Sequence, residues 1–244
     1  AGVDAQGLLT GMEFTGTFNT GAYASWGPTV ANRVPVHASG PYNWPSYRAI
    51  CQGVHTHSVP AGAFRGFGVP QAAIAQEMVF DQLANSMNLD RLEFRLRNAL
   101  DQGVATVTGQ KFDGSVGIKA CLNALHQPWE KALKQVRNQN QEAVRNNSRR
   151  RFGVGVASGW YGCGNTSLPN PSTIRAGIGK DGRVALHQGA VDLGQGSNTV
   201  ICQIFAQALG VTLDQVHLVN GDTDLTPDAG KTSASRQTFV SGNA

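Results

Sequence analysis

The chain has 244 residues, enough for one large domain or two modest ones with a buried core; 41% hydrophobic and 15% charged residues exclude a disordered chain. A net charge of +4 is too mild to signal a nucleic-acid partner, and no aromatic residues interleave with the basic run at Arg145 and Arg149–Arg151, so that run reads as a solvated helix end. Four cysteines, Cys51, Cys121, Cys163 and Cys202, contain no Cys-x-x-Cys pair, which points to reduced, mostly buried thiols in a cytoplasmic protein and to no iron–sulfur cluster held by this chain.

Residues 2–26 read as strands broken by glycines, and Gly40-Pro41-Tyr42 and Trp44-Pro45 mark turns before a strand over Arg48–His57. No element is assigned to residues 27–37. Ala73, Ile74, Met78, Val79 and Leu83 recur at helical spacing and predict a helix over 69–86 with those residues on its apolar face. Asp90 followed by Glu93 predicts a capped helix start, with Leu92, Leu96 and Leu100 on one side. Residues 115–147 are helical, divided in two at Pro128, and polar from Lys134 onward.

From Arg151 the pattern changes to short β-like runs at Phe152–Ser158, Ser172–Gly179 and Arg183–Gln188, with a hairpin turn at Lys180–Arg183. A helix over 197–209, a strand over Val216–Val219 and a polar loop over 220–238 follow. The fold class expected is α+β: two mixed α/β portions, 1–150 and 151–244, with mixed sheets and packed helices. No apolar run reaches the roughly 18 residues of a membrane span. The chain opens without Met and stops in mid-pattern, so both ends look cut.

Three segments could carry chemistry. Gly62–Gln71 is a glycine-hinged loop leading into a helix, with Arg65 and two rings, Phe64 and Phe67. Helix N-termini bind anions and oxo groups, and the rings could wall a flat ligand; a tight turn anchored by its phenylalanines is the equally open alternative. Gly189–Ser197 is a second glycine-rich strand-to-helix turn, without a dinucleotide or P-loop fingerprint. Asp228–Gln237 sets small hydroxyl residues in a row; its Gly-Lys-Thr lacks the earlier glycine of a P-loop. His55-Thr56-His57 alternates two imidazoles on a strand, with no third ligand at metal-site spacing.

Together the segments resemble the molybdopterin-binding large subunit of the molybdenum hydroxylases, the xanthine dehydrogenase and aldehyde oxidase family. The resemblance is carried by Ala-Phe-Arg-Gly-Phe-Gly-x-Pro-Gln at 63–71, Gly-x-x-Asp-Leu-Gly-Gln-Gly at 189–196 and Thr-Ser-Ala-Ser-Arg-Gln at 232–237, with weaker matches at Gly21–Tyr23, Gly40–Tyr42 and Arg91–Asn98. It implies a cofactor-binding part of an enzyme that hydroxylates an aldehyde or N-heterocycle with water as the oxygen source. Phe64, Arg65 and Gly66, then Gly194, Gln195 and Gly196, then Ser233, Ala234, Ser235, Arg236 and Gln237 would approach the molybdenum cofactor. The metal would be held through the pterin rather than by protein ligands. Phe67 would sandwich a flat substrate. Arg33, nine residues before Tyr42, matches a substrate-orienting arginine of purine-oxidising members.

The same resemblance implies iron–sulfur clusters and FAD on partner domains or chains. It puts the general-base glutamate beyond Ala244 and a further glycine-rich segment before residue 1, so Glu13, Glu77, Glu93, Glu130 and Glu142 are not promoted to that role. A non-catalytic cofactor-binding or assembly piece of the same family is the alternative, and a phosphate- or nucleotide-binding module the third reading.

Overall fold

The structure is a computed structural model that describes residues 1–165 and 169–244. It divides into two compact units, 1–161 and 162–244, and both are α+β with mixed sheets, as the sequence implies.

In the first unit, strand β1 (Gly2–Val3) lies antiparallel to β2 (Leu9–Gly21). Strand β3 (Tyr47–His55) runs parallel to β2, in register from Met12 opposite Tyr47 to Phe18 opposite Gly53. A parallel pair needs a crossover, and helix α1 (Gly27–His37) supplies it. No element is expected over these residues from the sequence, and the helix forms although it contains Pro28 and Pro35. Pro28 occupies the first turn, where its missing N–H costs nothing, and Pro35 falls in the last turn.

Helix α2 (Val69–Ser86) has the bounds that its spacing predicts, but a different face is buried. Ile74 and Met78 are more than half exposed, whereas Ala72, Gln76, Glu77, Phe80 and Ala84 are buried. The reason is polar. Tyr42 Oη donates to Glu77 Oε1 at 2.7 Å, and Arg95 Nε to Glu77 Oε2 at 2.6 Å. Arg95 Nη2 reaches Asp81 Oδ1 at 2.9 Å, and Gln76 Nε2 reaches Glu77 Oε1 at 3.0 Å. Arg95 and Asp81 thus join α2 to helix α3 (Arg91–Asn98). Burial tends to lower the Arg95 pKa, but Glu77, Tyr42 and Asp81 outweigh it and raise it. Burial first, then Glu77, pushes the Tyr42 hydroxyl up and keeps it a donor. Around this network Phe80 meets Tyr42 at 4.3 Å, Trp44 at 5.8 Å and Phe94 at 5.4 Å between ring centroids.

Asp90 caps α3 as its sequence suggests, accepting from the N–H groups of Leu92 and Glu93. Helices α4 (Ile118–Asn123) and α5 (His126–Arg145) follow. The break between them lies at Ala124–Leu125 rather than at Pro128. Pro128 is the third residue of α5, among the first-turn N–H groups that lack helical acceptors. Phe152–Ser158 is not a strand. Its backbone is held at Phe152 by the Asn140 side chain of α5, while Val154 and Val156 pack against the Leu92, Leu122 and Trp129 cluster.

In the second unit, β4 (Ile174–Ile178) and β5 (Val184–Gln188) form the expected hairpin, and β6 (Val216–Asn220) pairs parallel with β5. Helix α6 (Ser197–Leu209) is the crossover, and its Ile201 and Cys202 pack with Leu186, Ala190 and Ala229. A short α7 (Gln237–Val240) ends the polar loop earlier than the sequence suggests. Of the four thiols only Cys202 is buried; Cys121 and Cys163 are exposed and Cys51 is intermediate, which corrects the expectation of mostly buried cysteines. No helix among the described residues is long and apolar enough to cross a membrane.

Candidate functional site

In the first unit the loop before α2 takes three successive left-handed residues: Gly66 (φ 94°), Phe67 (φ 53°) and Gly68 (φ 86°). A β-carbon at Gly68 would stand 2.5 Å from Val34 Cγ2 and 3.0 Å from Val30 Cγ1, so only glycine lets this turn lie on α1. Phe67 packs edge-on against Trp26, with 6.1 Å between centroids. Phe64 and Arg65 are exposed. Among the described residues the N–H groups of Gly66 and Gly68 have no protein hydrogen-bond acceptor. The loop therefore presents backbone donors, one guanidinium and one exposed ring beside a helix N-terminus.

Arg33 lies on α1 and is 2% exposed. Its guanidinium carbon sits 4.3 Å from the centroid of the Tyr161 ring. Burial lowers the Arg33 pKa and Tyr161 opposes the shift; an arginine this far above neutral stays a cation. His37, one turn on, is kept neutral chiefly by burial, and its Nδ1 lies 3.0 Å from the Arg33 carbonyl. Its ring is 5.8 Å from both Trp160 and Tyr161. Sequence spacing gave no sign of Trp160 or Tyr161, which reach this helix from over a hundred residues away.

In the second unit Gly194 (φ 98°) and Gly196 (φ 79°) shape the turn into α6, and a β-carbon on either would meet open space. The anion position at this helix start is already filled. Asp192 accepts from the N–H groups of Gly194 at 2.8 Å, Gly196 at 3.3 Å and Asn198 at 3.2 Å. Those donors, Gly194 and Asn198 foremost, hold its carboxyl below the ordinary value of 3.8. Because the folded value is the lower one, the stabilisation is present above about pH 3.8 and is lost as pH falls through the folded value. Amide exchange at Gly194, Gly196 and Asn198 is expected to quicken only below that pH, and Asp192→Asn should quicken it at neutral pH; unchanged protection in the variant would contradict the role of the carboxylate. The Gln195 side chain is folded into its own loop, donating to Val191 O at 3.0 Å and accepting from Leu193 N.

Two adjacent non-glycine residues, Ala234 (φ 55°) and Ser235 (φ 54°), are left-handed, a conformation that costs on the order of 1 kcal/mol or more each and persists only where the surroundings impose it. They do so here. Gly164 N donates to Ala234 O at 2.9 Å and Cys163 Sγ to Ser235 O at 3.2 Å. Arg236, 1% exposed, donates to Ala229 O at 2.8 Å, Lys231 O at 3.0 Å, Asn170 Oδ1 at 3.2 Å and the Pro171 carbonyl. Gln237 Nε2 adds bonds to Ala229 O and Lys231 O. Arg236 and Gln237 thus face inward and brace the loop. The N–H groups of Ser233, Ala234 and Ser235 meet no protein acceptor among the described residues. A 560 Å³ cleft in this unit is lined by Asp228, Gly230, Lys231 and Arg236, with Pro171 and Asn165.

These donors suit a ligand rich in oxygen and sulfur acceptors better than a bare ion. No group of three or more His, Cys, Asp or Glu side chains that could hold a metal occurs among the described residues, His55 and His57 included. Glu77 is buried against Arg95, while Glu13 pairs with Arg48 and Glu93 with Arg97.

Two family models, each described as a molybdopterin cofactor-binding domain, match residues 1–99 and 128–244. The xanthine dehydrogenase molybdenum-binding subunit of Escherichia coli O157:H7 is 34% identical over 249 residues, covering 100% of this chain and 32% of that protein. The aldehyde oxidoreductase of Megalodesulfovibrio gigas is 30% identical over 241 residues, covering 98% of this chain and 26% of that protein. The crystal structure of the aldehyde oxidoreductase from Desulfovibrio desulfuricans superposes with a TM-score of 0.85 at 29% identity, over 99% of this chain and 26% of that one. The chain therefore spans about a third or less of the length of these relatives.

Proposed function

Because the chain belongs to the molybdopterin-binding family of molybdenum hydroxylase large subunits, we propose that it supplies two portions of the cofactor-binding surface of an enzyme that hydroxylates an aldehyde or N-heterocycle with water as oxygen source. The observation that carries this reading is the set of backbone N–H groups without protein acceptors among the described residues at Gly66, Gly68 and Ser233–Ser235, in two loops that take left-handed backbone at Gly66–Gly68 and at Ala234 and Ser235. When bound, the molybdenum cofactor supplies the oxidation–reduction chemistry; the chain supplies binding, orientation and electrostatics.

In this reading the first portion, 1–150 by sequence, offers Phe64, Arg65 and the Gly66–Gly68 amides, with Phe67 as an aromatic wall for a flat substrate. The second, from 151, offers the Ser233–Ser235 amides and, at Gly194–Gly196, a turn whose amides are held by Asp192 and whose glycines leave room for close approach. Arg236 and Gln237 serve through the loop they brace, and Gln195 through the turn it closes. Iron–sulfur and flavin groups on partner domains or chains would carry electrons away.

The test is molybdenum and pterin content of the chain purified with its natural neighbours. Stoichiometric metal with pterin is expected; absence of both would refute the binding role. Turnover of aldehydes and N-heterocycles by the same preparation separates an enzyme portion from a non-catalytic one.

A further inference from the structure

Helix α5 turns Trp129 and Ala143 into the first unit, and Leu133 packs in the same cluster as Trp129. The opposite side of the helix is cationic. Lys131, Lys134, Arg137 and Arg145 are exposed, and at 3.6 residues per turn they fall within an arc of about 120°. The chain then folds back on the helix: Ser148 N donates to Ala143 O at 2.8 Å and Phe152 N to Asn140 Oδ1 at 2.9 Å. This brings Arg149, Arg150 and Arg151, also exposed, to the C-terminal half of the same helix. Residues 131–151 thus hold seven of the chain's 20 basic residues and one, Glu142, of its 16 acidic ones. None of the seven cations forms an ion pair among the described residues.

The helix itself gains little from them. Like charges three residues apart repel, and the helix dipole favours cations only in the last turn, which Arg145 alone occupies. A solvated helix end therefore accounts for Arg145 but not for the row that precedes it. We propose that α5 with Arg149–Arg151 is a docking ridge for an acidic segment of a partner protein, one rich in Asp or Glu. Guanidinium forks hold carboxylates in pairs, and cations without an ion pair break no existing bridge to accept them. A lipid surface fits less well, because the apolar face of α5 is already packed on the core. A nucleic acid also fits less well: Trp129, the aromatic ring of the helix, is buried and donates to Asp90, so it cannot stack on a base. The ridge goes beyond cofactor binding and does not depend on it.

The experiment titrates the whole chain into a fluorescently labelled polyglutamate peptide of about ten residues at roughly 0.15 M ionic strength, where isolated exposed charges are largely screened. Fluorescence anisotropy reads the Kd. Duplex DNA and phosphatidylserine vesicles are measured in the same buffer. Saturable binding of the peptide is expected. The triple variant Lys131→Glu, Lys134→Glu, Arg137→Glu should weaken it about tenfold or more. Arg149→Ser with Arg150→Ser and Arg151→Ser should weaken it by a similar factor, and this second triplet keeps the test open if the first disturbs the helix. Lys111→Glu, Lys180→Glu and Arg183→Glu make the same change of charge at exposed positions elsewhere, and should alter the Kd less than about twofold. Circular dichroism checks that each variant keeps its helix content. Absence of peptide binding, an equal loss in the control triplet, or tighter binding of the DNA or the vesicles than of the peptide overturns the proposal.

Discussion

Arg95→Ala is expected to destabilise the first unit by about 3–5 kcal/mol, the range for removing one partner of a buried ion pair. Arg95 has no exposed surface and Glu77 is nearly as buried, so the carboxylate would be stranded with only Tyr42 and Gln76 as donors. The loss also removes a donor from the Glu77 and Arg91 carbonyls and from Asp81, which keeps its pair with Arg91. Urea unfolding of the full chain measures it. The pair Glu77→Leu with Arg95→Met should lose much less than Arg95→Ala alone, since apolar groups of similar volume leave no orphaned charge. A loss under about 1 kcal/mol in Arg95→Ala would place the pair with exposed salt bridges and remove the explanation for the unexpected buried face of α2.

Arg236→Ala should destabilise the second unit less, but with a functional consequence. It removes donors from three backbone carbonyls and Asn170 at a site with 1% exposure. Gln237 Nε2 still serves the Ala229 and Lys231 carbonyls and Asn165 N still serves Asn170, so the Pro171 carbonyl bears most of the loss. A buried acceptor left unsatisfied costs about 1–3 kcal/mol, and a loss in that range is expected. With the brace gone, Ala234 and Ser235 should relax from left-handed backbone, their amides should lose their common orientation, and molybdenum content should fall. Arg236→Lys should rescue little, because an ammonium cannot span carbonyls on both sides of the loop. Hydrogen exchange over 229–235, with metal analysis of the assembled protein, reads both effects. Full metal content in Arg236→Ala would show that the loop orders itself without the brace.

Much of the site was legible from residue order alone. Glycine is the cheap occupant of a left-handed position, so the turns at Gly66–Gly68 and Gly194–Gly196 could be seen as special before their φ values were known. Asp90 with Glu93 announced a helix start, and the bounds of α2 and α6 followed from spacing, because capping and periodicity are local. Ala234 and Ser235 carry no such mark. Their conformation is imposed by Arg236, Gly164 and Cys163, and nothing in a side chain's own type discloses what will strain it.

The sequence by itself determined that the chain is α+β, where its glycine turns lie, and which family those turns resemble. Tertiary structure alone decided which face of α2 is buried, because Glu77 needed a cation 18 residues away rather than a greasy neighbour. It decided that α1 exists despite two prolines, since a parallel β2–β3 pair requires a crossover. It also turned Arg236 inward and set Tyr161 over Arg33. Periodicity records what lies within a turn or two of chain, whereas a buried charge takes whatever partner the fold brings to it.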